Sequence, residues 1–223
     1  MYRIAPQTSH ISRLRLALTN PGPQVLGPQG LANSLDRELV RKSIHLLVAL
    51  VPPLAAVHLI MAIGFLMAGI LFYTAAEAMR LAGIRVALVS GLTVVAARPA
   101  DTGFVLGPVT LGLGAMLALL LYPLPASAIA IYALAFGDAA ASVIGMTFSG
   151  WRMPMKWKKT VAGSLACFTV VFLVTFTLTV SLPLSVAVAA AAMTIEALSG
   201  RDLDNLLIPV GVGFVVQAAK VQF

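Results

Sequence analysis

The sequence predicts an all-α fold: a polytopic integral membrane helix bundle of about six to seven transmembrane helices, with short re-entrant or interfacial helices between some of them. Three observations predict it. Of 223 residues, 60% are hydrophobic and only 10% are charged, whereas soluble domains carry about 25% charged residues. The apolar residues fall in runs close to the roughly 20 residues that cross a bilayer as a helix. Charged segments alternate with uncharged turns along the chain, as they do when basic residues collect on one side of a membrane.

The first predicted span runs from about Glu38 to Val57, with Pro52 and Pro53 near its far end, and the second from about Leu59 to Leu81. Gly83 to Ala97, between Arg85 and Arg98, is short for a span and reads as an interfacial or re-entrant piece. The third span, about Val105 to Tyr122, stops at Pro123 and Pro125. The fourth, about Ala126 to Phe148, leads into a polar loop from Ser149 to Thr160. The fifth covers about Val161 to Val180 and ends at Ser181 and Pro183; the sixth covers about Leu184 to Leu198. The last, about Leu206 to Ala219, is short and carries Pro209.

Residues 1–35 read as a cytoplasmic N-terminal tail and 36–223 as one transmembrane domain, since no Ser/Gly linker divides the chain. The tail has a candidate surface-lying stretch from Ile11 to Leu18. Its arginines and its lack of acids before Asp36 keep an organellar targeting segment open as an alternative.

The formal net charge is +7. In a soluble protein such a balance suggests nucleic acid. Here the bases sit in short loops between apolar runs, so they fix topology, and nucleic-acid binding is excluded. The turns after spans one, three and five carry no Lys, Arg, Asp or Glu, whereas the other segments do. This alternation places the N-terminus and every charged loop on the cytoplasmic face. The lone cysteine, Cys167, excludes an intrachain disulfide and a zinc cluster and reads as a small apolar filler.

Four blocks carry the ionisable residues. In Glu38-Leu-Val-Arg41-Lys42-Ser-Ile-His45, positions 38, 41 and 45 share a helix face. Arg41 and Lys42 suit a snorkelling anchor as well as a phosphate site. His45 lies deeper in the apolar run, where a ring binds phosphate, relays a proton or merely packs. In the second block, Gly137, Ala141 and Gly145 form a small-residue stripe for helix approach. Asp138 beside it is an acid within a span, which marks a functional site by default. The third block is Lys156-Trp-Lys158-Lys159-Thr160-Val-Ala-Gly163-Ser164. Thr160 is placed to cap the next helix, and a helix N-terminus flanked by lysines suits phosphate. The fourth gathers Glu196, Asp202 and Asp204 with Arg201 and Asn205; its acids are hard oxygen donors of the kind that hold Mg²⁺ together with substrate phosphates. Glu77 and Arg80, three apart, pair on a helix as a strut or as part of a site. Together these residues are the components of phosphoryl or nucleotidyl transfer to a lipid.

At these residues the chain resembles the polyprenol kinase family, which includes dolichol kinase, phytol kinase and the CTP-dependent diacylglycerol kinase. The resemblance covers about residues 36–215. It rests on Glu38 to His45, Phe136-Gly137-Asp138, Lys159-Thr160 with Gly163-Ser164, and Asp204-Asn205 with Pro209, in that order.

The resemblance implies a membrane enzyme that transfers the γ-phosphate of a nucleoside triphosphate, commonly CTP, to a lipid hydroxyl with Mg²⁺. Polyprenols, phytol-like alcohols and diacylglycerol are the acceptor classes. On this reading Asp138, Asp202 and Asp204 hold Mg²⁺, directly or through water, with Asp138 or Glu196 as base. Arg41, Lys42, His45, Gly137, Lys156, Lys158, Lys159, Thr160, Gly163, Ser164 and Asn205 are the implied nucleotide site. Many relatives carry Glu where this chain has Ala162, so no metal role carries over to that position. A homo-oligomer is compatible with this reading. Two rivals share its features: a phosphatidate cytidylyltransferase-like enzyme, whose long acidic C-terminal signature is missing here, and a small membrane transporter, which needs ionisable groups reachable from both sides.

Overall fold

The structure, a computed structural model, describes residues 28–84, 103–148, 159–200 and 202–221. The tail before residue 28, most of the segment from Gly83 to Ala97, and the loop bearing Lys156 and Lys158 lie outside the described residues. The chain divides into two compact units, Met1–Ser34 and Leu35–Phe223. The first contributes only the opening turns of helix α1 to the described residues. The second holds the rest of α1 and every other helix.

Every described element is helical: α1 Pro28–Leu47, a 3-10 turn Val48–Leu50, α2 Val51–Val57, α3 Leu59–Leu81, α4 Gly107–Leu121, α5 Ala126–Tyr132, a π turn Ala133–Gly137, α6 Asp138–Thr147, α7 Val161–Thr179, α8 Leu182–Leu198 and α9 Asp204–Val221. Four stretches are long and apolar enough to cross a membrane: Leu35–Val57, Leu59–Leu81, Ala126–Thr147 and Val161–Thr179. The apolar helices α4, α8 and α9 are shorter.

Prolines account for most departures from the expected boundaries. Helix α1 begins at Pro28, well inside the stretch read as a tail, because proline fits the first turn of a helix without loss. Pro52 and Pro53 do not end the first span. They sit in the first turn of α2, where their missing N–H groups break the ladder and leave the 3-10 turn between α1 and α2. Pro183, expected to stop a helix, instead starts α8. Pro209 lies inside α9. Its missing N–H deprives the Asn205 carbonyl of a helical donor.

Capping and small residues fix the remaining joints. His58 is extended and its ring accepts a hydrogen bond from the Met61 N–H at 3.3 Å, so one residue turns the chain from α2 into α3. Thr160 caps α7 by accepting from the Gly163 N–H at 3.1 Å. Gly114 of α4 lies against the Asn205 carbonyl oxygen, where any Cβ would collide with backbone, so α4 and α9 meet at full backbone contact. Gly145 and Gly163 do the same for α6 and α7: a Cβ on Gly163 would stand 2.6 Å from the Ala141 carbonyl oxygen.

The stretch Ala126–Thr147 is the axis of the bundle. More than half of its apolar span is buried, 56% against 11% for α3. Ile129, Ile131 and Leu134 pack there against Val171 of α7, Val188 of α8 and Val212 of α9. Helix α7 packs on α6 and α8, and α9 on α4, α5 and α8. Outside this core, Ile60, Phe65, Leu71 and Phe72 of α3 are exposed. An exposed apolar belt of this kind is stable where the surroundings are hydrocarbon.

Candidate functional site

The axial stretch carries Asp138 directly after the π turn. A π turn inside a helix widens the backbone locally and often accompanies a site. Asp138 is only 3% exposed. The Lys42 ammonium of α1 donates to its Oδ2. His45, one turn further along α1, places Nδ1 3.2 Å from the same oxygen, without the alignment of a hydrogen bond. Arg41, on the same helix, pairs instead with Glu38 at 2.5 Å. The helical spacing of the first block thus sends Lys42 and His45 inward to one acid and leaves Arg41 to its neighbour.

A second cluster forms where α7, α8 and α9 converge. Lys159, just before α7, donates to Glu196 Oε1 at 2.6 Å and to Asp204 Oδ2 at 3.4 Å. Ser164 donates to the other Glu196 oxygen at 3.0 Å. Burial works against the charge on Lys159, but Glu196 and Asp204 outweigh it and hold the ammonium above the usual lysine range; the Asp138 carboxylate acts in the same direction. The two clusters therefore share one electrostatic field.

Asn205 belongs to the same wall. Its side-chain amide donates to Thr110 Oγ1 at 2.9 Å and to the Gly107 carbonyl at 3.3 Å, and its own Oδ1 is buried without a partner among the described residues. The Asp202 carboxylate lies beside Gly107, at the start of α4.

Several expected site residues prove to have structural partners. Gly137 faces α7, where a Cβ would lie 2.7 Å from Val171 and 3.3 Å from Cys167; it permits helix approach. Gly163 serves the α6–α7 crossing, and its N–H goes to the Thr160 cap. The Ser164 hydroxyl is held by Glu196. Lys156 and Lys158 lie outside the described residues.

The three aspartates expected to share a metal are not brought together. Among the described residues, no group of three His, Cys, Asp or Glu side chains gathers closely enough to hold an ion. Lys42 takes an oxygen of Asp138 and Lys159 one of Asp204, while Asp202 lies instead at Gly107. Glu77 turns out to be a strut: it is fully buried, binds Arg80 through both oxygens at 2.7 Å and accepts from the Val105 N–H at 3.0 Å, which fixes the approach to α4. Thr110 was not foreseen. Its partner stands 95 residues away in sequence, and nothing local marks it.

The acids nevertheless fit a hard divalent cation chemically. Asp138, Glu196 and Asp204 are all buried; Lys42 and His45 stand against the first, and Lys159 against the other two. Mg²⁺ needs only one or two protein carboxylates when phosphate oxygens supply the rest. Compared with protein-family models, curated proteins and solved structures, the chain matches none.

Proposed function

We propose that this chain is a membrane lipid-alcohol kinase, transferring the γ-phosphate of a nucleoside triphosphate, CTP by the resemblance of its motifs, to a lipid hydroxyl. The observation that carries the reading is the buried cluster of three carboxylates and two lysines inside a bundle of apolar helices. Buried charge on this scale is costly in a membrane and is retained where it acts on a ligand. A triphosphate with its cation exchanges partners with such a cluster at little electrostatic cost: phosphate oxygens take the lysines and the cation takes the carboxylates.

In this reading Lys42 and Lys159 neutralise the triphosphate, with Arg41 at its approach. Asp138 and Asp204 would offer carboxylates to Mg²⁺, which would neutralise charge on the transferring phosphoryl group. Asp138 is the base in this reading, because His45 beside it gives the proton a second carrier. The lipid O–H bond breaks with its proton passing to Asp138, the oxygen bonds the γ-phosphorus, and the bond to the bridging oxygen breaks to release CDP. The shorter helices α4, α8 and α9 also cross in this reading, giving seven spans with the N-terminus and the site on the cytoplasmic face.

The test is product analysis by mass after incubating purified protein in vesicles with CTP, Mg²⁺ and lipid alcohols. A phosphorylated lipid with CDP is expected, and Asp138→Asn should reduce its formation by about 10²–10⁴-fold, the ordinary contribution of a positioned base. Normal turnover in Asp138→Asn, or release of pyrophosphate in place of CDP, overturns the assignment.

A further inference from the structure

A groove of about 670 Å³ lies between α1, α6 and α7. Leu46 and Leu165 line it together with Ala140, Ala162 and Ala166, whose small side chains leave the space unfilled. Leu46 and Leu165 are also 41% and 56% exposed, which opens the groove at the sides of helices α1 and α7. Both helices belong to stretches apolar and long enough to cross a membrane, so the opening faces hydrocarbon.

One end differs chemically from the rest. Lys42 and Ala139 line the groove too. Lys42 is the residue paired with Asp138, and Ala139 follows Asp138 in the chain, so the groove adjoins the buried ion pair. Ser43 and Thr169 line it as well, but their hydroxyls donate to the Leu39 and Leu165 carbonyls of their own helices, so the end at Lys42 is where the groove meets buried charge, and such a space suits a molecule with one polar group and one hydrocarbon chain. At about 30 Å³ for a group the size of a water molecule or a methylene, 670 Å³ accepts roughly 22 such groups. That is one chain of ordinary membrane length, and less than the two chains of a diacylglycerol.

We infer that this groove seats the single hydrocarbon chain of a lipid alcohol, with the hydroxyl at the Lys42–Asp138 pair and the first roughly 20 carbons between α1, α6 and α7. A longer chain continues through the lateral opening into the bilayer. The position of the hydroxyl rests on the kinase reading; the seat of the chain rests on the shape and lining of the groove.

The test uses the full chain in phosphatidylcholine vesicles, without nucleotide, and a twenty-carbon isoprenoid alcohol carrying a diazirine on its chain. Photolysis and peptide mapping should place the label on groove residues of α1, α6 and α7. Unlabelled isoprenoid alcohol should compete, and dioleoylglycerol should not. Ala166→Trp fills the groove and should cut labelling about tenfold, equivalent to about 1.4 kcal/mol. Ala140→Leu is the milder variant, with a few-fold loss expected on the same ground, and it decides the matter if the tryptophan variant does not fold.

Label spread over α3, or undiminished in the folded variants, overturns the groove. Equal competition by dioleoylglycerol overturns the single-chain assignment. Phosphorylation assays on the same samples separate the two readings. Mapped labelling with no phosphorylated product sinks the kinase alone, whereas phosphorylation with the label elsewhere sinks the groove alone.

Discussion

Removing Lys42 tests the core of the site through stability, with no assumption about substrate. Lys42 and Asp138 are 5% and 4% exposed at their side chains, so the pair has almost no contact with solvent. Lys42→Met keeps the length of the side chain and removes the charge. Asp138 is then left as a buried carboxylate with only His45 close by, 3.2 Å away. Breaking a buried ion pair from one side costs about 3–5 kcal/mol, because the remaining charge keeps its desolvation penalty without its partner. Removing both charges in Lys42→Met with Asp138→Leu should return most of that loss, since apolar replacement of a buried pair is often neutral. The coupling from the double-mutant cycle should therefore reach at least about 3 kcal/mol, the top of the usual range for residues in contact. The assay is reversible unfolding in lipid bicelles by added SDS, followed by far-ultraviolet circular dichroism. A single-variant loss under about 1 kcal/mol, or additive effects of the two substitutions, would show that the pair is not desolvated.

Three further outcomes are expected. Gly114→Ala should destabilise by about 1–3 kcal/mol, the usual range for overpacking, because its new methyl meets the Asn205 backbone; Gly64→Ala on α3, with nothing within 4 Å, should be neutral or slightly stabilising in the same unfolding assay. Tyr122→Phe removes a 2.7 Å hydrogen bond to the Val210 carbonyl and should cost about 0.5–1.5 kcal/mol; no loss at all would argue against that joint between the end of α4 and α9. Because the Lys159 pKa is raised in the folded protein, its contribution is complete below the ordinary lysine value of 10.5 and is lost as pH rises through the elevated folded value. Stability of the wild type should thus fall on the alkaline side of 10.5, and Lys159→Met should flatten that part of the profile; an identical alkaline limb in the variant would contradict the Lys159–Glu196–Asp204 cluster.

The helices themselves were largely written in the local sequence. Helix α3 runs from Leu59 to Leu81 as the apolar run predicts, and the Ala126 and Val161 starts coincide with the predicted ones. Runs of apolar residues decide such limits because a backbone in hydrocarbon must satisfy its own hydrogen bonds, which a helix does within the segment. Thr160 was legible as a cap for the same reason: its partner, Gly163, is three residues away. Prolines were less legible. Pro183 and Pro209 have the same local chemistry as Pro123, yet one starts a helix and one lies inside another, because the neighbouring helices determine whether the missing hydrogen bond matters.

Asp138, Lys42, Lys159, Glu196 and Asp204 could each be singled out from sequence, since an acid or base in an apolar chain is costly wherever it sits. Which acid meets which base could not be read there. Lys42 and Asp138 are separated by 96 residues and Lys159 and Asp204 by 45, and local spacing says nothing about contacts over such distances. Tertiary packing decided that Ser164 holds Glu196, and that Asp202 lies at Gly107 while Asp204 joins the lysine. The amino-acid sequence by itself determined an apolar helical chain with a few costly charges. Only the packing of α1, α6, α7, α8 and α9 determined how those charges neutralise one another, because buried ions take whichever partner the close approach of helices at Gly114, Gly137, Gly145 and Gly163 brings within reach.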